Sequence, residues 1–114
     1  MKPEELKFDA DGLIPVIVQQ QGTGQVLMLA YMDLEAVTRT LDSGRAWYWS
    51  RSRQTYWRKG DTSGHVQHVR ALAADCDRDA LLLTVDQVGP ACHTGSGSCF
   101  SGSGILRLDT ARVD

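Results

Sequence analysis

What this chain lacks narrows its chemistry first. No apolar run comes near the roughly 20 residues that a bilayer-spanning helix needs. The opening Met1-Lys2-Pro3-Glu4-Glu5 is acidic and has no apolar core, so no secretory signal is expected there. An excess of charge is missing too. Lys plus Arg number 12 and Asp plus Glu 14, a net charge of −2 with His neutral. That balance excludes a basic nucleic-acid coat and an acidic tail protein. Cysteine is scarce and odd in number: Cys76, Cys92 and Cys99 cannot all pair within one chain. Without export, a disulfide framework is not expected either. No segment repeats. What remains is ordinary for a globular protein: 114 residues, 42% apolar and 23% charged, enough for one domain over 1–114. The expectation is a soluble cytoplasmic domain.

The pattern along the chain predicts mostly strands. Ile14-Pro15-Val16-Ile17-Val18 and residues 25–32 read as two strands joined through Gly22-Thr23-Gly24. No Gly-Lys-Ser/Thr follows those glycines, and a strand comes next, so they serve a turn rather than a phosphate loop. Asp33 caps a helix starting at Leu34, with Leu34, Val37 and Leu41 on one face and Gly44 at its stop. Residues 46–50 are aromatic and strand-like. Residues 51–64 are polar, carry Gly60 and Gly64, and read as a long functional loop. Strands follow at about residues 66–73 and 80–88. Residues 89–104 are rich in Gly and Ser yet hold Cys92, His93 and Cys99, which marks a ligand-bearing loop. The fold class is α+β, small and strand-rich with one main helix.

The stretch Asp75-Cys76-Asp77-Arg78-Asp79 is the most informative. In an extended chain the three aspartates share one side and Cys76 points to the other. Crowded carboxylates repel and lose hydration, a cost that a cation offsets, and hard oxygen ligands suit Mg²⁺ or Ca²⁺. An EF-hand does not fit, because its sixth position is Ala80 and its twelfth Asp86. A solvated acidic turn with no ion remains the competing reading. Cys92 and Cys99, six small residues apart, are able to converge on a soft ion with a third thiolate from the preceding strand. Three cysteines around Zn²⁺ leave one tetrahedral position for an acidified water, as in a catalytic site. Ligation by His93 closes the site as a structural one, and spacing does not choose between the two. His93 is also placed to shuttle a proton. His65 and His68 read as ordinary hydrogen-bonded histidines.

Residues 45–59 carry Arg45, Arg51, Arg53, Arg58 and Lys59 with no acid, interleaved with Trp47, Tyr48, Trp49, Tyr56 and Trp57. Such a strip fits single-stranded nucleic acid, a small phosphorylated nucleotide, or a core strand edged by solvated arginines. The low overall charge favours a compact anion over extended nucleic acid.

The strings WYWSRSR (47–53), WRKGDTSGH (57–65), DCDRD (75–79) and GPACHTGSGSCF (89–100) together resemble the phosphoribosyl-AMP cyclohydrolase family of histidine biosynthesis. Residues 28–32 also look like family sequence. Asp61 is a departure, standing where the family more often has glutamate. The resemblance includes no phosphoribosyl-ATP pyrophosphohydrolase domain, which is fused to some members, so a single activity is implied. It implies hydrolytic opening of the purine ring of 1-(5-phosphoribosyl)-AMP at the N1–C6 bond. It further implies zinc on Cys76, Cys92 and Cys99, and magnesium on Asp75, Asp77 and Asp79. The family is an intertwined homodimer whose zinc site takes Cys76 from one subunit and Cys92 and Cys99 from the other. Arg51, Arg53, Trp57 and Lys59 become expected substrate contacts and His93 the expected proton carrier. The nucleobase deaminases also attack a purine C6 from a cysteine-held zinc. Their signature is missing, since His65 is followed by Val66-Gln67 and Pro90 by Ala91. Two further readings stay open, a zinc-stabilised interaction module and a single-strand nucleic-acid binder.

Overall fold

A computed structural model describes residues 1–101 together with Gly104 and Leu106. After a 3₁₀ turn at Pro3–Glu5 the elements run β1 (Ile14–Gln20), β2 (Val26–Met32), α1 (Leu34–Ser43), β3 (Trp47–Ser50), β4 (Thr55–Arg58), β5 (Gln67–Ala74) and β6 (Leu81–Gln87). One sheet has the order β2-β1-β6-β5, and β3 and β4 form a second, two-stranded sheet. Strand β1 is antiparallel to β2 and parallel to β6, while β5 and β6 form a hairpin. The α+β expectation holds. No helix among the described residues is long and apolar enough to cross a membrane.

Strict alternation explains the large sheet. Ile14, Val16 and Val18 of β1 and Leu81, Leu83 and Val85 of β6 are buried on one face. Each such side chain contributes about 1.5–3 kcal/mol when fully removed from water. The intervening residues point the other way. Ile17 pairs with Leu29 on one side and Leu82 on the other, and Leu82 pairs with Ala73. These make an apolar row across the outer face, with Ile17, Leu29 and Leu82 at 40%, 48% and 39% exposure. Pro15 sits near the start of β1, one residue before pairing with β6 begins at Val16, a position a sheet tolerates.

Helix α1 starts and stops where its caps require. The Asp33 carboxylate accepts from the Ala36 amide at 2.8 Å. Gly44 adopts φ 71° and its amide donates to the Thr40 carbonyl at 3.0 Å. The buried face differs from the expected one. Ala36, Val37 and Thr40 face inward, whereas Leu34 and Leu41 are exposed. The reason is the short step to β3: the Thr40 hydroxyl accepts from the Trp47 amide at 3.0 Å and so turns that side of the helix toward the second sheet.

The polar stretch after residue 50 is a second correction, since it contains β4 and closes a hairpin with β3. Trp47, Tyr48 and Trp49 stand opposite Arg58, Trp57 and Tyr56. Cross-strand aromatic packing stabilises this ribbon, with ring centroids 5.0 Å apart for Tyr48 and Trp57 and 4.9 Å for Trp49 and Tyr56. Tyr48 is fully buried and donates to the Gln67 side chain at 2.5 Å, anchoring the ribbon to β5. Burial holds its phenol far above the usual range. Gly60 follows β4 at φ 93°, and a Cβ there would lie 2.5 Å from the Val66 backbone. Only glycine lets the chain pass that close.

Candidate functional site

The acidic stretch is a turn between β5 and β6, not a strand. The Arg78 amide donates to the Asp75 carbonyl at 3.1 Å, and Arg78 itself takes φ 65°. The simple alternation argument therefore fails, yet its consequence survives by another route. The Asp75 carboxylate accepts from the amides of Asp79 and Ala80 at 3.1 and 3.3 Å. Curling around that carboxylate brings the side chains of Asp75, Asp77 and Asp79 within 4.8 Å of one another. A hydrogen bond with Asp77 pushes Asp79 above the usual carboxylate range. The same bond holds Asp77 below it. Three carboxylates gathered this closely suit a hard divalent cation.

Residues 89–101 form the expected irregular loop, and residues 102 and 103 of that segment lie outside the described residues. The loop is fastened to the edge strand β2. Ser98, almost fully buried, donates its hydroxyl to the Val26 carbonyl at 2.7 Å, and the Cys99 amide donates to the Leu27 carbonyl at 2.7 Å. At the other end the Cys92 amide reaches the Ser96 carbonyl at 3.1 Å, and Gly95 at φ 92° closes the bend. Cys92 and Cys99 lie close enough for each thiol to shift the other, lowering Cys92 and raising Cys99. The Thr94 hydroxyl donates to the Cys92 sulfur at 3.1 Å and lowers that thiol. Burial, by contrast, pushes Cys99 up. Two convergent sulfurs, one of them with its pKa lowered, suit a soft ion such as zinc.

Cys76 does not join them within one chain. Among the described residues the three aspartates are the sole set of three ligand side chains drawn together. Register explains the separation. The cysteine loop is tied to Leu27, beside the Met28–Val18 pair at the β2 edge, and the Cys76 turn lies beyond the Ala74–Leu81 pair at the opposite end of the sheet. Strand spacing and rise put these corners on the order of 15 Å apart.

The basic and aromatic strip lines two cavities on either side of Trp57. One, of about 550 Å³, has Arg53, Trp57, Arg58 and Lys59 on its walls, with His93 reaching in from the cysteine loop. The other, of about 330 Å³, is lined by Arg51 with Tyr31, Trp49 and Trp57, and the Arg51 guanidinium lies 3.8 Å from the Tyr31 ring centre. Arg51 is thus set apart from Arg53 and Lys59, with which sequence had grouped it. Asp61 accepts from Arg58 at 2.7 Å and lies 3.5 Å from Arg45, so it orders the arginine side of the larger cavity. Both volumes fall in the range of small-molecule sites.

A third cavity, of about 240 Å³, joins Lys59, Ser63, His65, Cys92 and His93. By sequence alone His65 reads as an ordinary histidine. Its carbonyl does accept from Gln87 at 3.1 Å, but its ring packs against Gly89, where a Cβ would come within 2.7 Å. Its place beside Cys92 follows from that glycine, a signal that only tertiary contact interprets. His68 is exposed on β5, as an unremarkable histidine would be.

Fold and site together define a small α+β protein with a cluster of three carboxylates, a cysteine loop and a basic aromatic groove. The phosphoribosyl-AMP cyclohydrolase family model matches residues 28–101, and the chain belongs to that family. A protein of Micrococcus luteus named phosphoribosyl-AMP cyclohydrolase is 60% identical over 107 residues, which cover 94% of this chain and 84% of the relative. Similar proteins of that name from Rhodospirillum centenum and Streptomyces griseus are 65% and 62% identical. They cover 84% and 88% of this chain, and 72% and 80% of their own lengths.

Proposed function

We propose that this protein is a cytoplasmic hydrolase that opens the purine ring of 1-(5-phosphoribosyl)-AMP at the N1–C6 bond, a step of L-histidine biosynthesis. The observation that carries the reading, beside the family match, is the position of His93. It adjoins Cys92 and lines both the cationic groove and the cysteine cavity.

Cys76, Cys92 and Cys99 would hold zinc, and Asp75, Asp77 and Asp79 magnesium. Zinc, when bound, supplies Lewis acidity that makes water a nucleophile near neutral pH. The chain's own residues do the rest. Arg53 attracts a phosphate into the larger cavity and Arg51 offers a second cation across Trp57, which matches a substrate carrying a phosphoribosyl group on each side of a purine. Ribosylation at N1 leaves C6 electron-poor. Water adds to C6, the C6–N1 bond breaks, and His93 passes the released proton to N1, leaving an amide carbonyl at the former C6.

The same reading makes the active form a homodimer in which Cys76 from one copy meets Cys92 and Cys99 of the other. Support comes from the sulfurs' separation within one chain and from the apolar row of Ile17, Leu29 and Leu82, an outer surface that a second copy would cover. Since Cys76 lies between Asp75 and Asp77, the copy that contributes it also delivers the three carboxylates. An absorbance assay of ring opening, with and without a zinc chelator, tests the proposal. Turnover that needs zinc is expected; failure of the zinc-loaded protein to open the ring overturns it.

A further inference from the structure

Lys59 is fixed more firmly than a residue waiting for substrate. Its amide donates to the Ala46 carbonyl at 2.9 Å, and its carbonyl accepts from Arg45 at 3.1 Å. The next residue is Gly60, clamped against the Val66 backbone. Its ammonium then donates to the Ala91 carbonyl at 2.6 Å, across 32 residues of sequence. Ala91 is itself almost fully buried and immediately precedes Cys92. The same side chain forms a wall shared by the cationic groove and the cysteine cavity, which Cys92 also lines.

We infer that Lys59 is a positioning residue for the cysteine loop: it ties Ala91 down and sets a positive charge beside the sulfurs, so that Cys92 and Cys99 stay placed to hold a soft divalent ion. This deepens the proposed function and rests on its cysteine-held zinc. It also changes the role expected for Lys59, whose main hydrogen bond is spent on the protein rather than kept for a phosphate. Sulfurs that ligate one ion as thiolates repel each other, and a partly buried cation beside them lowers that repulsion. Partners that orient ligands in this way typically change metal affinity by about 10–100-fold.

The test compares zinc-loaded wild type, Lys59→Met and Lys59→Arg. Zinc transfer to a chromogenic chelator is followed, together with kcat and KM for ring opening and the melting temperature of the zinc-free proteins. Lys59→Met is expected to release zinc about 10–100-fold faster, with KM changed by less than about threefold. Lys59→Arg, which keeps charge and a donor, is expected to recover most of the slow release. Unchanged zinc release with a KM raised about tenfold or more would make Lys59 a substrate contact and overturn the inference. Equal loss in both variants, matched by a lower melting temperature of the zinc-free protein, would overturn it as a general packing effect. Should Lys59→Met not fold, Lys59→Gln replaces it: faster release supports the charge role, and wild-type release overturns it. A wild type that takes up no zinc refutes the proposed function itself, which is a distinct outcome.

Discussion

The acidic turn and the cysteine loop carry the two proposed ligand sets, and they are built on opposite plans. The turn is completed by short-range contacts. Five consecutive residues curl around the Asp75 carboxylate, and all three carboxylates are gathered in one chain. The loop is held by long-range ones, through Ser98 and Cys99 to β2 and through Ala91 to Lys59. Even so, it gathers two sulfurs and stops. A set made by neighbours in sequence is self-sufficient, while a set made by distant elements depends on everything that positions them.

The largest expected effect is on the incomplete set. Cys76→Ser and Cys99→Ser should each lose zinc and at least about a hundredfold in turnover. Mixed and allowed to exchange subunits, the two dead variants should regain about a quarter of wild-type activity, because half of the random dimers are mixed and each contains one intact site. No recovery in demonstrably mixed dimers would place all three sulfurs in one chain. Next comes Asp77→Asn. It should weaken the Mg²⁺ dependence of turnover by about tenfold while zinc content stays near one per chain. Equal loss of both metals, by elemental analysis, would merge the two sets into one.

Smaller effects sharpen the contrast between local and distant support. Ser98→Ala removes a buried hydrogen bond to the Val26 carbonyl and should cost about 1–2 kcal/mol in urea unfolding, with faster zinc release. A stable variant with unchanged release would show that β2 does not hold the loop. Arg78→Gly is the mildest change. Arg78 occupies φ 65°, where a side chain is disfavoured, so glycine should leave stability within about 1 kcal/mol of wild type and Mg²⁺ dependence intact. A marked loss of Mg²⁺ dependence would assign the Arg78 side chain a role that the turn geometry does not give it.

Much of the fold was legible where local rules act alone. Asp33 and Gly44 bracket α1, and the alternation in residues 14–18 and 81–85 reports buried strands directly. The misses fall where a distant partner decides. Leu34 and Leu41 look like a helix face, but the bond from Trp47 to Thr40 turns a neighbouring face inward. Residues 55–58 look too polar for a strand until the aromatic side chains of β3 are set opposite them. His65 looked incidental because nothing nearby in sequence reveals that Gly89 admits its ring beside Cys92.

Taken alone, the sequence determined the donor chemistry: three carboxylates in a five-residue span, sulfurs spaced by small residues, and arginines threaded among aromatics. These follow from residue type and short spacing, which no later packing alters. Tertiary structure decided the grouping. It divided Arg51 from Arg53 and Lys59 across Trp57, drew Lys59 onto the cysteine loop, and left Cys76 at the far corner of the sheet. Grouping depends on strand order and register, which are fixed by buried contacts between residues tens of positions apart, and such contacts leave no mark on the spacing of the ligands themselves.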